Sequence, residues 1–395
     1  MSRAALIASA VATSTLVGWS YAGYAPVAPL IAAELGLDDV QLGLIATALY
    51  VAAAIPMLVL GDVADRYPPK AVNLWGAVLV VLGTVGMALA PTYWVLLATR
   101  AVSGVGAGLG LLGGLRYVGL SYPEGRAHVG TGLFGGGFPL GSAIALWTAP
   151  PLAAATGWRT AFLITAAAMV PIVVLWLRVP EVPHFRRPGN MLDAARDGNC
   201  WWTFAQHAAG FGLVLAAGAW ITIFLVREFG LALELGGILG SMLLVTAVLA
   251  RPFGGYLVSR RILSTVGVMR LAQFVVLAGI VMLALPGRPL TVALLGAIGV
   301  GFGGAIPYAA VFNTAAASLP RSPAAAQGLT ALGGLVSALI AAPVMGYAIQ
   351  TWGFASAWLI LGSISVVALV GTFAMRGEEH FTGSDRAARS ARAAT

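Results

Sequence analysis

Long, unbroken apolar runs follow one another along this chain, separated by short polar breaks. Each is near or above the roughly 20 residues that an α-helix needs to cross a bilayer. Strands of a membrane barrel would alternate in short segments instead. These runs are rich in Gly, Ala and Leu, and a helix satisfies its own backbone in lipid. The pattern predicts twelve spanning helices, at residues 4–33, 41–60, 71–91, 94–118, 128–154, 158–179, 201–226, 236–257, 264–286, 290–311, 324–349 and 354–376. The longest polar interruption, "PEVPHFRRPGNMLDAARDGN" from Pro180 to Asn199, falls between the sixth and seventh. The expected organisation is a six-helix bundle at 1–179, a cytoplasmic linker at 180–200, a second bundle at 201–376 and a cytoplasmic tail at 377–395.

Composition agrees with that pattern. The chain is 59% hydrophobic and 9% charged, whereas a soluble domain is about a quarter charged. The net charge of +8 comes from basic residues scattered singly at helix ends, which fits membrane orientation better than a nucleic-acid footprint. With the N-terminus inside, 17 of the 22 Lys and Arg fall on the cytoplasmic side. Arg159, Arg227 and Arg288 fall outside, and Arg100 and Arg251 lie in mid-span. Both termini are therefore expected in the cytoplasm. Cys200 is the only cysteine, which excludes an intramolecular disulfide and a Cys-based metal cluster. The first run carries Trp19, Tyr21 and Tyr24 and is longer than a signal-peptide core, so it reads as a retained helix.

The halves repeat at a near-constant offset. "SGVGAG" from Ser103 recurs as "IGVGFG" from Ile298, 195 residues on. "GWRTAF" from Gly157 answers "GFASAW" from Gly353, 196 on, and Gly61 answers Gly255 of "GYLVSRR", 194 on. Parallel six-helix repeats with a path between them describe a secondary transporter.

"GDVADRYPPK", Gly61 to Lys70, resembles the loop motif between the second and third helices of the major facilitator superfamily. Gly61, Ala64, Asp65, Arg66 and Lys70 match it, while Pro68 and Pro69 replace a Gly and an Arg. The second copy keeps Gly255, Leu257 and Arg260 but has Ser259 where the Asp would be. "RAVSGVGAG", through Arg100, Gly104, Gly106 and Gly108, resembles the family's fourth-helix motif, and "GWRTAF" the start of its sixth helix. The resemblance covers the chain to about Gly377. It implies an all-α membrane protein of two six-helix bundles related by a pseudo-two-fold axis. Gly61 allows close helix approach, and Asp62 and Asp65 can pair with Arg66 or cap neighbouring helices. Gly61, Asp62, Asp65, Arg66, Gly255 and Arg260 are thus candidates for a latch on alternating access; a loop whose charges only set topology is the other reading.

The 14 carboxylates all fall outside the expected spans, and His207 is the only histidine read as membrane-located. His207 is a candidate for coupling or, alternatively, for packing. Arg251 lies eight residues before Ser259, about 12 Å along the helix. Its guanidinium is a permanent cation with a planar fork suited to carboxylates and oxoanions. Ala-Arg-x-x-Gly-Gly around it resembles the eighth helix of the nitrate/nitrite porters, which implies an anion-contacting arginine. A partnership with backbone carbonyls of the glycine-rich fifth or eleventh helix is the alternative. "GLFGGGFPLG", Gly132 to Gly141, resembles that group's fifth-helix signature without its Asn. The group's second arginine would fall near Tyr50, where no base is present. Arg100 reads as structural or coupling-related. Trp19, Tyr21, Tyr24, Tyr50, Trp147, Trp220 and Tyr308 are candidates to line a cavity or to form interfacial belts.

The glycine runs carry no Gly-Lys-Ser/Thr and are not phosphate loops. No cofactor, metal site or enzymatic constellation is expected. The expected function is secondary transport of a small, anionic solute across the inner membrane by rocker-switch alternating access. Proton-coupled efflux of drugs or hydrophobic metabolites is the alternative, and a receptor or scaffold is disfavoured by the paired motifs. The expected partners are a small-molecule substrate and the lipid bilayer, with no nucleic acid and a monomer as the working unit.

Overall fold

The computed structural model describes residues 3–59, 67–122, 127–182 and 190–382. Among them there is no strand, and helices follow one another with short turns. The chain divides into two compact units, one of residues 1–122 and 133–191 and the other of residues 123–132 and 192–395.

In the first unit, α1 (Arg3–Ala22) is followed by a 3-10 turn (Ala25–Val27) and α2 (Ala28–Leu35). Pro26 and Pro29, which cannot donate to a continuing helix, accompany this break. Then come α3 (Asp39–Val59), α4 (Pro69–Leu89), α5 (Tyr93–Leu120), α6 (His128–Thr156) and α7 (Trp158–Arg178). The first residues of α6, up to Gly132, belong to the second unit and the rest to the first.

The second unit continues with α8 (Met191–Arg196), α9 (Gly198–His207), a π-turn (Ala208–Gly212) and α10 (Leu213–Phe229). It ends with α11 (Leu233–Ser259), α12 (Thr265–Ala284), α13 (Leu290–Ala305), α14 (Tyr308–Ser318) and α15 (Pro323–Ala374). Eleven described stretches are long and apolar enough to cross a membrane. The last of them, holding α15, breaks at Gly353, whose φ of 81° and ψ of 175° are non-helical. Among the described residues, each of the twelve expected spans falls on helical stretches, the first, seventh and tenth on two α-helices each.

The repeat is visible in the backbone. Gly36 (φ 63°) ends α2 and Gly230 (φ 65°) ends α10, 194 residues apart, both in the left-handed conformation that glycine adopts without strain. Gly157 (φ 79°) and Gly353 (φ 81°), 196 apart, separate successive helices in their halves. Glu34 and Glu228, again 194 apart, each meet an arginine: Arg159 at 2.7 Å and Arg288 at 3.0 Å. Arg159 also stacks over Trp158 and Arg288 over Phe224. Both acids sit at helix ends and stay partly exposed.

Helices in lipid gain little from hydrophobicity and pack by close approach of small residues. In the first unit Gly76 of α4 faces the backbone of Gly106 and Gly110 on α5, and Gly83 faces Ser103. In the second, Gly279 of α12 faces the Gly296 carbonyl of α13. The glycine-rich start of α6 serves the same purpose, with Gly137 and Gly141 against the α1 carbonyls of Val11 and Thr15.

Candidate functional site

Arg251 lies on α11 with 6% of its surface exposed. The helix around it is held by glycine contacts. Gly254 meets the backbone of Ile306, where α13 gives way to α14 at Pro307. Gly255 meets the His128 carbonyl at the start of α6, and Gly132 of α6 meets the Arg251 carbonyl. These approaches fix the backbone from which the guanidinium projects.

That guanidinium sits 4.4 Å from the Tyr308 ring centroid and 5.9 Å from that of Phe211. His207 completes the group, with its ring stacked on Phe211 at 5.4 Å and meeting Phe312 edge-on at 4.8 Å. Tyr308 and Phe312 are themselves 4.8 Å apart. The guanidinium therefore lies against the rings of Tyr308 and Phe211, which in turn pack with His207 and Phe312, all within the second unit. Ring faces carry partial negative charge and attract a cation, while their bulk lowers the local dielectric and strengthens the cation's field.

Phe211 owes its place to the π-turn. The wider turn of Ala208–Gly212 directly follows His207, and such a turn re-aims side chains and recurs at functional sites. Tight packing continues behind it, where Gly334 of α15 lies against His207 and Phe211.

Arg100, on α5 and 2% exposed, occupies a different setting in the first unit. It donates to the carbonyls of Ser20 at 2.5 Å and Tyr21 at 3.2 Å, and lies 5.3 Å from the Tyr24 ring. The last carbonyls of α1 have no partner within their own helix and form the negative end of its dipole. Arg100 supplies both a donor and a charge there.

The remaining candidates are dispersed. Tyr50 packs on Tyr21 at 5.2 Å, and Tyr21 packs on Phe138 at 5.1 Å. Tyr24 is buried and donates to the Leu42 carbonyl at 3.2 Å. Trp19 lies in the first unit's core against Phe162. Trp220 packs at the second unit's core beside Gly346, and Trp147 is exposed. Of the latch candidates, Gly61, Asp62, Asp65 and Arg66 lie outside the described residues. Gly255 packs on α6, and Arg260, at the end of α11, lies 5.6 Å from the Tyr256 ring. Lys70, which closes the motif, donates to the Leu177 carbonyl at 3.3 Å.

The structure thus joins Arg251, His207 and Tyr308 and adds Phe211 and Phe312, which the sequence reading omits. Phenylalanine in a membrane helix carries no signal that separates a site wall from lipid contact. Among the described residues no three His, Cys, Asp or Glu side chains converge as a metal would require.

The Major Facilitator Superfamily family model matches residues 10–332. This chain belongs to the major facilitator superfamily. The facilitator is a transporter, not an enzyme. NarK1 of Thermus thermophilus, a probable nitrate/nitrite antiporter, is 28% identical over 356 residues, covering 81% of this chain and 79% of its own. SauU of Cupriavidus necator, a probable sulfoacetate transporter, is 28% identical over 291 residues, 66% of each chain. The proton:xylose symporter XylE, solved with 6-bromo-6-deoxy-D-glucose, shares this facilitator's fold with a TM-score of 0.78. Its sequence identity is 14%, over 95% of this chain and 96% of its own.

Proposed function

We propose that this facilitator is a secondary active transporter that moves a small anionic solute across the inner membrane by rocker-switch alternating access. Both termini are cytoplasmic in this reading, and a monomer suffices. The observation that carries it is the Arg251 cluster, a buried guanidinium braced by Tyr308, Phe211 and His207. Burying a guanidinium in a membrane helix costs roughly 3 kcal/mol on insertion scales. An anion recovers that cost through charge-assisted, bidentate hydrogen bonds. NarK1 and SauU are named for small anions, which supports the same class. The resemblance to the nitrate/nitrite group would place its second arginine near Tyr50, where no base is present, and Arg100 is committed to α1. The preferred substrate is therefore a small anion that one guanidinium can hold, with nitrate as one member of the class.

A thermal-shift series tests this, because a ligand that binds the native state raises its melting temperature by mass action. Nitrate, nitrite and sulfoacetate are compared with cationic dyes. Stabilisation by dyes alone would replace this proposal with drug efflux. Arg251→Lys keeps the charge and loses the fork. Anion affinity should fall at least about tenfold, the ratio for ~1.4 kcal/mol, while the melting temperature stays near wild type. Lower stability with unchanged affinity would reduce Arg251 to a helix-packing role.

The latch is a separate part of the proposal. Gly61, Asp62, Asp65 and Arg66, with Gly255 and Arg260 in the second copy, form contacts that hold one closed state and break in the other. Asp65→Asn should lower transport in reconstituted vesicles while expression and folding persist. Wild-type turnover in that variant would reduce the loop to a topology signal.

A further inference from the structure

At the start of α6 a chain of polar side chains lies buried, apart from the Arg251 cluster. His128 is 3% exposed and its Nε2 lies 2.8 Å from Oε2 of Glu378, itself 8% exposed. Asn313 Nδ2 lies 3.0 Å from His128 Nδ1, and Thr131 donates to Asn313 Oδ1 at 3.1 Å. Glu378 belongs to the short segment after α15. That segment is anchored by the Glu378 N–H on Thr265 Oγ1 and by Glu379, which accepts from the Thr265 N–H and hydroxyl. All of these residues belong to the second unit.

The donor and acceptor inventory makes the chain directional. An amide NH2 only donates, so His128 Nδ1 accepts from Asn313 and the imidazole proton sits on Nε2, which lies 2.8 Å from Glu378 Oε2 without the alignment of a hydrogen bond. If the Asn313 amide turns over, its oxygen accepts from a protonated Nδ1. The Thr131 hydroxyl then accepts where it had donated. The Asn313 and Thr131 contacts therefore serve imidazole and imidazolium alike, while the Nε2–Oε2 contact becomes an ion pair only when the ring is protonated. The gain on protonation is the attraction of opposite charges 2.8 Å apart at a buried site.

We propose that this cluster is a proton-binding site separate from the anion site, and that proton uptake tightens the hold of residues 377–382 on the first turn of α6. Glu378 supplies the negative charge facing the imidazole. Glu379 is engaged with Thr265, and His380 turns its ring to Phe381. α11 meets His128 through the backbone at Gly255, and its basic residues Arg260 and Arg261 follow at its exposed end. Glu124 and Arg126, just before His128, lie outside the described residues. The proposal does not depend on what Arg251 binds.

Hydrogen–deuterium exchange on the full chain in lipid nanodiscs tests it. The peptides covering residues 128–132 and 377–382 are followed near pH 8 and near pH 5.5, with intrinsic exchange rates corrected. Wild type should be about fivefold or more better protected at the lower pH, the ratio that a modest gain in pairing gives. His128→Gln keeps a neutral amide in the cluster but takes no proton, so its protection should be the same at both pH values. Glu378→Gln, which removes the charge facing the ring, should lose the pH effect too. Equal protection of wild type at both pH values would overturn the proposal. So would a pH effect that survives in His128→Gln, or in Glu378→Gln if the first variant does not fold.

Discussion

Two buried arginines show how one side-chain type takes different work from its surroundings. Arg100 donates to two carbonyls at the end of α1, whereas the Arg251 guanidinium lies against the rings of Tyr308 and Phe211. Hydrogen bonds to charged groups are worth about 1.5–3 kcal/mol each. Arg100→Gln should therefore destabilise the protein by about 2 kcal/mol or more, read as a lower midpoint in thermal or denaturant unfolding. Anion affinity in the folded fraction should stay near wild type. A loss of affinity without loss of stability would move Arg100 from the frame to the site. Charge and depth alone leave the two arginines alike, since both are mid-span cations, and only the motifs around them separate them in the sequence. The difference is which residues of α1 and α14 reach them, and that is a tertiary fact.

At the level of elements, the repeat makes paired predictions. Gly157 has φ 79° and ψ 151°, and Gly353 has φ 81° and ψ 175°. Both lie in a region that is essentially glycine-only and costs about 1–3 kcal/mol for other residues. A Cβ at either position would meet open space, so the cost is purely conformational. Gly157→Ala and Gly353→Ala should each lower stability by about that amount, and a calorimetric scan that finds either neutral would show that the joint relaxes. Gly254→Ala differs in kind, because its Cβ would run into the Ile306 carbonyl and push α11 away from the end of α13. The spans and joints were legible because apolar run length and glycine placement are local signals. Two features were not. The π-turn that aims Phe211 leaves no mark in the sequence, because it shifts the helical register without changing composition. The pairing of His128 with Glu378 joins residues 250 positions apart, and the tail that supplies the acid looks solvated when read by polarity.

At the scale of the molecule, the placement of charge bears on how transport is driven. Intramembrane ionisable groups are costly and kept for function, so a proton-driven cycle would ordinarily keep a carboxylate along its path. Here Glu34 and Glu228 are at helix ends in ion pairs, and Glu378 and Glu379 follow the last span. The interior groups of the Arg251 cluster are one guanidinium and one imidazole, His207, enclosed by rings. A proton on His207 would add a second positive charge to an apolar cluster, and in a low dielectric that is expensive without an anion arriving beside it. Exchange of one anion for another leaves the number of charges at Arg251 the same on each half-cycle, so it needs no proton. Counterflow follows from this. Proteoliposomes preloaded with unlabelled anion should take up labelled anion faster than empty ones, and an imposed pH gradient alone should add little. His207→Asn, which stays neutral and keeps a polar group in the cluster, should then retain counterflow. Uptake that runs only on a pH gradient and disappears in His207→Asn would make His207 the proton carrier and end the exchange model.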